Sequence, residues 1–569
     1  MIKGKQKVRR MVFGATLAFA LASAPAAGGA AAAECAIDAT AVVYPAPQQA
    51  CLTGWIPAPA SFEIDADERL VGSQALVYLS EALGKKGIAS APAAGAGLIS
   101  FEFGGPEHET VFRQEGYRIA VSPGEMVEIK ISARTGAGFY YAALTLEQLI
   151  SKDGSGASIV AGEVVDFPAF SYRGVLEGGY SVWSHEKRLA IIEWTGKMKM
   201  NSFIYAPKEG MYFRRRWRAP HPDEEMEWFR QYVEASARNH VEFAYSLSPA
   251  MSMEYSDPAE FEVLAAKYVR MQEIGVRRFG VFFDDVLPYL STPADRAAYK
   301  NIAEAEVEVT NKLLAALRER DRDVKLFFVP NQYWGWTPTD YMRIVRERLH
   351  PDIDIGWTGR DIVSDSIPAD DVREFIKLAG RPPAIGDNWS PLGPVERRDP
   401  DIYKMTSSYL NNPYGFADDS RAKMSRFVDS TVADYGWNPE AYDPARSIRR
   451  ASEIIAGGQP AGDALLLALL IKGEKVSPSN IAEIPALLES LSDAAKAEGA
   501  KATLRELLDR YKSALPAAAL SPMLAAEVAP ALEKGLGAFA RATAALDATR
   551  LPADSASIDD IKKILGLKK

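Results

Sequence analysis

Asp284 and Asp285 stand side by side at the end of the apolar run Gly280-Val281-Phe282-Phe283. Burying an unpaired charge is strongly unfavourable, so two adjacent carboxylates closing a hydrophobic strand either share a proton or face a polar cleft. A pair of that kind is suited to acid–base chemistry. Asp-Asp recurs at 370–371, 418–419 and 559–560, each time in a polar or helix-like setting. Only the copy at 284 follows a strand-like run, and that context singles it out.

Other short apolar runs end in polar or aromatic residues in the same way. They give Glu177-Gly178-Gly179-Tyr180, Tyr205-Ala206-Pro207-Lys208, Pro330-Asn331-Gln332-Tyr333-Trp334, Trp357-Thr358-Gly359, Asp387-Asn388 and Asn411-Asn412-Pro413. Gathered at one end of one scaffold, these residues have the chemistry of a carbohydrate site. Aromatic faces stack on sugar rings, and amides and carboxylates bond hydroxyls. Singly each has a plainer reading: a solvated lysine, a core tyrosine, an asparagine opening a turn. Arg214, Arg215, Arg216 and Arg218 after the second run read as a solvated loop.

The scaffold that must hold them together is legible as alternation. The strand candidates are Gly174–Leu176, Ser202–Tyr205, Glu242–Tyr245, Phe279–Phe283, Lys325–Val329, Ile353–Gly356, Ala384–Ile385 and Ser408–Leu410. Amphipathic stretches separate them. Phe261, Leu264, Ala265, Tyr268 and Met271 form one apolar stripe, with Gly275 after it, and Ile302, Ala305, Val309, Leu313 and Leu317 form another. Eight strands alternating with helices are what an α/β (β/α)8 TIM barrel needs, and its active sites lie at the carboxyl ends of the strands.

The chain divides into a leader over 1–33, an N-terminal α/β domain over 34–168, the barrel over 169–438 and a C-terminal helical bundle over 439–569. In the N-terminal domain Leu98–Phe103 and Tyr117–Val121 read as strands and Ala142–Ile150 as a helix. Gly136-Ala137-Gly138-Phe139-Tyr140 lacks the third glycine of a dinucleotide loop and reads as a turn onto a helix. The C-terminal region is rich in Ala, Leu, Lys and Glu, with breaks expected at Pro478, Pro516 and Pro522 and a partly disordered tail from Leu551.

At 569 residues and 47% hydrophobic content the chain can bury a large core. Its formal charge of -9 argues against general nucleic-acid binding. The first 33 residues carry Lys3, Lys5, Lys7, Arg9 and Arg10, then an apolar segment from Met11 to Ala22 and a small-residue stretch ending Ala31-Ala32-Ala33. That is the pattern of a secretory signal, cleaved before Glu34, so the protein is expected to be exported, periplasmic or secreted. No later segment is expected to span a membrane. Cys35 and Cys51, the two cysteines, are expected to pair in an oxidising compartment. The histidines at 108, 185, 221, 240 and 350 show no ligand spacing, so neither metal nor cofactor is expected. Oligomeric state is not legible.

The order of motifs resembles the catalytic domain of glycoside hydrolase family 84, a family of β-N-acetylglucosaminidases that includes O-GlcNAcases and enzymes once named hyaluronidases. The similarity runs through Arg173–Tyr180, Trp183–Glu186, Met200-Asn201, Tyr205–Lys208, Ser248-Pro249, Phe283–Asp285, Pro330–Tyr333, Trp357–Gly359, Asp387-Asn388 and Asn412-Pro413. Upstream, Thr145-Leu146 and Gln148-Leu149 resemble the small α/β domain that precedes the barrel in this family and in related hexosaminidases.

The resemblance implies hydrolysis with retention, in which the sugar's 2-acetamido oxygen attacks the anomeric carbon to give an oxazoline. Asp284 would bond the acetamido N–H; Asp285 would protonate the leaving oxygen and then activate water. A free aspartate, with a pKa near ~3.9, is too acidic for that second role, so Asp285 is expected to be raised by its ionised neighbour. Gly178 and Lys208 would contact sugar hydroxyls, Tyr333 would lie near the acetamido group, and Asn388 and Asn412 would hold the acetamido group or ring hydroxyls. Trp357 is expected in the same wall. The substrate would be a glycan or glycoconjugate bearing terminal N-acetylglucosamine.

Three positions depart from the family pattern. Gly386 stands where tryptophan is usual, Gly393 where an aspartate binds the outer hydroxyls, and Gly179 where phenylalanine is usual. Asp399 or Asp401 is a candidate replacement for the missing aspartate. The departures keep two alternatives open: a noncatalytic glycan-binding protein on the same barrel, and a hexosaminidase for an altered amino sugar.

Overall fold

The computed structural model of the chain describes residues 34–104, 114–180, 182–389, 393–413, 419–459, 462, 466, 487–520 and 529–564. The proposed signal segment, Pro478 and Pro522 lie outside the described residues. An N-terminal sheet comprises β1 (Gln49–Pro57), β2 (Phe62–Ala66), β3 (Gly97–Phe103), β4 (Tyr117–Ser122), β5 (Glu128–Ala133), β6 (Ile150–Asp153) and β7 (Gly156–Asp166), in the order β1-β7-β4-β5-β3-β2 with β6 beside β7. The helices Gln74–Lys85 and Gly136–Gln148 pack together beside it. The second helix starts six residues before the expected Ala142, because Thr135 caps it and the glycine-rich phrase forms its first turn.

The barrel closes as expected. Its strands are β8 (Tyr172–Glu177), β9 (Ser202–Tyr205), β10 (Glu242–Leu247), β11 (Arg278–Phe282), β12 (Lys325–Val329), β13 (Ile353–Trp357), β14 (Pro383–Asp387) and β15 (Ser408–Asn411), all parallel, with β15 returning to β8. Each strand is buried on both faces, so it reads as a continuous apolar run rather than an alternating one. Close approach of strands sets some residue choices: a Cβ at Gly174 would collide with the Ser202 carbonyl, and one at Gly280 with the Phe327 ring. Both apolar stripes lie on helices, Pro258–Glu273 and Ile302–Arg318. Side-chain caps from Ser184 and Asn301 open the helices His185–Lys197 and Ile302–Arg318, each cap worth about 1 kcal/mol.

The sheet domain and the barrel share a buried polar joint. Lys199 Nζ donates to Tyr117 Oη (2.6 Å) and Thr145 Oγ1 (2.7 Å) and lies 3.4 Å from Asp166. Trp437 Nε1 donates to the other Asp166 oxygen at 2.7 Å. Burial lowers the Lys199 pKa to about 8, with the Asp166 charge opposing the shift.

Beyond the barrel the described residues are helical: Asp419–Trp437, Pro444–Ala456, Ala497–Leu520, Ala529–Asp547 and Ser555–Ile564. One expectation fails here: Pro516 lies within its helix rather than ending it. In the tail, Ser555–Ile564 form a helix whose Ile558 and Ile561 are buried, and 565–569 lie outside the described residues. Cys35 and Cys51 form a disulfide, with their Cα atoms 4.9 Å apart.

Candidate active site

The carboxyl ends of the barrel strands enclose a pocket of about 290 Å³. Leu176, Phe282, Val329 and Trp357 supply apolar lining, while Asp284, Asp285, Lys208, Tyr333, Asn388 and Asn412 supply polar groups. All eight residues named from the sequence for catalysis or substrate binding, Gly178 included, therefore line one cavity, and Gly386 lines it as well.

Asp284 follows β11 with one residue, Phe283, between them and is buried. Its Oδ2 lies 2.5 Å from Lys208 Nζ, whereas its Oδ1 is buried without a hydrogen-bond partner. Asp285 takes a left-handed backbone conformation, φ 55°, uncommon outside glycine although Asp tolerates it better than most. That local strain turns its carboxylate back over the pocket mouth, where 26% of the side chain is exposed. Its Oδ2 bonds Lys208 Nζ and accepts from Tyr180 Oη at 2.6 Å, and its Oδ1 accepts from Tyr333 Oη at 2.9 Å.

This arrangement corrects the expected titration. Burial pushes Asp285 up, but the bonds from Lys208, Tyr180 and Tyr333 and the Lys208 charge outweigh it, holding the carboxyl below its ordinary value. Lys208 is raised in turn: burial works against its charge, and the two aspartates prevail. The expectation considered only the neighbouring carboxylate; a lysine between the pair reverses the sign.

The amides form a chain. The Gly178 N–H donates to Asn412 Oδ1 (3.0 Å), Asn412 Nδ2 to Asn388 Oδ1 (2.7 Å), and Asn388 Nδ2 to the Ile362 carbonyl (2.6 Å). Trp357 is buried and anchored by its Nε1 on the Gly335 carbonyl at 2.9 Å. A Cβ at Gly386 would meet nothing within 4 Å, so this wall has spare room.

Not every polar strand end faces the pocket. Glu177 forms a two-pronged pair with Arg188, both bonds 2.8 Å, and Asp387 does the same with Arg398 at 2.7 Å. These are buried ion pairs, and neither carboxylate lines the pocket. Asp399 and Asp401 do not replace the missing aspartate. Asp399 accepts from the Ala369 N–H at 3.2 Å, and Asp401 pairs with Lys404 at 2.7 Å.

Sequence reasoning also missed residues behind the dyad. Arg214 is buried rather than solvated, and its guanidinium donates to the Asp284 carbonyl at 3.3 Å. Asn331 Nδ2 donates to the carbonyls of Phe283 (3.3 Å) and Val286 (3.1 Å), clamping both sides of the Asp284-Asp285 turn. Its own N–H donates to Tyr341 Oη at 2.9 Å, and Tyr341 donates to the buried Glu306, whose pKa burial raises to about 8. Asn331 stood beside Tyr333 in the strand-end motif, which was the available signal; Glu306 lay hidden in an ordinary helical stripe.

The β-N-acetylglucosaminidase (NAGidase) family model matches residues 173–469, and that of domain 2 of glycosyl hydrolase family 20 matches residues 40–167. Mouse (Mus musculus) Protein O-GlcNAcase is 30% identical over 276 residues, 46% of this chain and 30% of that protein. The rat (Rattus norvegicus) Protein O-GlcNAcase is 30% identical over 256 residues, 42% of this chain and 28% of that protein. The chain thus spans less than a third of the length of these curated relatives. The solved structure of CpGH84B superposes with a TM-score of 0.72 at 22% identity, covering 89% of this chain and 91% of that one, which is a likeness of fold. A mutant of the Thermobaculum terrenum O-GlcNAc hydrolase gives a TM-score of 0.57 at 27% identity over 67% of this chain and 83% of that one. With its family match covering just over half its residues, this chain belongs to the β-N-acetylglucosaminidase family, glycoside hydrolase family 84.

Proposed function

We propose that this chain is an exported β-N-acetylhexosaminidase. It removes terminal β-linked N-acetylglucosamine from glycans or glycoconjugates with retention, using the sugar's own 2-acetamido group as nucleophile. The observation that carries this reading is the buried, unpartnered Oδ1 of Asp284 beside Asp285 in one small pocket. An unsatisfied buried carboxylate oxygen costs free energy until a donor arrives, and an acetamido N–H is such a donor.

With that N–H on Asp284, the acetamido oxygen is turned onto the anomeric carbon. The C1–O bond to the leaving group breaks as the C1–O bond of the oxazoline forms, and Asp285 gives its proton to the departing oxygen. Asp285 then takes a proton from the water that opens the ring. Among the described residues lining the pocket, Asp284 and Asp285 are the only carboxylates. A nucleophile scheme needs a second carboxylate across the scissile bond, so this lining favours the substrate-assisted route.

Asp285 must be protonated to act as an acid. The sugar hydroxyls supply new acceptors for Lys208, drawing the ammonium off Asp285 and letting burial raise its pKa at the moment it is needed. Tyr180 and Tyr333 keep the carboxyl oriented meanwhile.

Export is supported by the basic and apolar leader and by the Cys35–Cys51 disulfide, a bond that persists in oxidising compartments. N-terminal sequencing of the exported protein tests it, with Glu34 as the expected first residue.

The stereochemistry is tested by proton NMR during hydrolysis of an aryl β-N-acetylglucosaminide. The β-anomer appears first on this reading, and α-anomer appearing first overturns it. A second reading, glycan binding without turnover, is favoured by the open wall at Gly386. Its signature is saturable binding of N-acetylglucosaminides with no hydrolysis.

A further inference from the structure

The pocket is at the small end of ligand cavities, about 290 Å³, and Asp285 sits at its mouth. Whatever is attached to the leaving oxygen therefore lies outside, across the rim. Six consecutive βα loops at the same end of the barrel each expose large apolar side chains: Tyr180 after β8, Met211 after β9, Met251 after β10, Leu287 and Tyr289 after β11, Trp334 after β12, and Ile362 and Val363 after β13; Tyr180, Ile362 and Val363 line the cavity itself. Met251 is 59% exposed and Tyr289 58%. Nine of the fourteen exposed large apolar residues among the described residues fall in these six loops. Single exposed apolar residues need no explanation, but a concentration at the end of the barrel that holds the cavity marks an interaction surface.

Most of the cations in these loops are engaged within the protein. Arg215 pairs with Glu209, Arg218 with Glu260 and Arg360 with Asp371. Apart from the exposed Arg216, the rim thus offers contact area rather than charge. Most of its members are aliphatic, and flat aromatic faces for stacking a second sugar are the minority.

We propose that this apolar rim is the binding surface for the aglycone, and that the aglycone is an alkyl or aryl group rather than a further saccharide. The inference rests on the hydrolase reading above and names the substrate class of the same site. It continues the pocket outward, so an occupant of the pocket brings its own substituent onto the rim.

The test compares kcat/KM for methyl, hexyl and octyl β-N-acetylglucosaminides, all below micellar concentration, with chitobiose and an N-acetylglucosaminyl-serine peptide. The alkyl leaving groups are alike chemically, so the series reads contact area. The octyl glycoside is expected to exceed the methyl one by about tenfold or more. In the Leu287→Ser/Tyr289→Ser double variant the octyl-to-methyl ratio falls toward one; a general loss of folding lowers both rates and leaves the ratio. A flat alkyl series, an unchanged ratio in the variant, or faster cleavage of chitobiose or the glycopeptide overturns the proposal. Equilibrium binding of the same series separates the two readings. Tighter octyl than methyl binding without turnover keeps the apolar rim and sinks the hydrolase; equal binding sinks the rim.

Discussion

Lys208 Nζ lies 2.5 Å from Asp284 Oδ2 while also bonding Asp285, so one ammonium spans both members of the dyad. Asp285 is in this way held ionised before substrate arrives, which is the wrong protonation state for a general acid. Binding has to change it.

That coupling predicts a separation of pH profiles. The profile of kcat/KM reports the free enzyme, where Asp285 is held low, and that of kcat reports the complex. The alkaline limb of kcat/KM is therefore expected at lower pH than that of kcat. In Lys208→Met the alkaline limb of kcat/KM moves up, by about one pH unit, because Asp285 is easier to protonate without the ammonium. Rates measured across pH 3–9 check this; a limb unmoved by the substitution contradicts it.

Asn331→Ala removes the clamp on the carbonyls of Phe283 and Val286. A misplaced dyad loses near-attack geometry, so kcat is expected to fall about tenfold to a hundredfold with KM little changed. Steady-state kinetics alongside a melting curve distinguish this from unfolding. An unaltered kcat would show that the turn holds itself.

Glu306 keeps its proton in the folded protein to about pH 8, against an ordinary value of 4.5, because it is buried. The unfolded chain releases that proton near its ordinary value. Between those two limits unfolding releases a proton, so this group's contribution falls as pH rises and levels off above the upper limit. Glu306→Gln abolishes the effect. The variant should match the wild type near the lower limit and exceed it at pH 8 by on the order of 3 kcal/mol. Denaturation curves at several pH values check this, and parallel stability profiles contradict it.

Arg398→Met leaves Asp387 buried without its partner and should cost about 3–5 kcal/mol. Adding Asp387→Asn should recover part of that loss, since no charge is then stranded. Chemical denaturation of both variants checks the order; a double variant weaker than the single one contradicts it.

The barrel was legible because strands covered on both faces must be continuously apolar, and Ser202–Tyr205 and Lys325–Val329 have the expected bounds. The pocket was legible because active residues follow strand ends in this architecture. Sequence position could not separate Asp285 from Asp387, both acids at strand ends. What separates them is a partner brought by folding: Arg398, from the connection after β14, pairs with Asp387, while Lys208, from the end of β9, meets Asp285. The sign of the Asp285 shift was illegible for the same reason. Arg214, in a run of arginines, looked like any solvated cluster until the helical turn Met211–Arg215 carried it behind Asp284.

The most direct test of the central claim is the turnover of a chromogenic β-N-acetylglucosaminide with a poor leaving group by the wild type and by Asp285→Ala. If Asp285 protonates the departing oxygen, the wild type hydrolyses it and the variant is slower by about 10² to 10⁴. Equal rates in the two proteins would contradict the assignment.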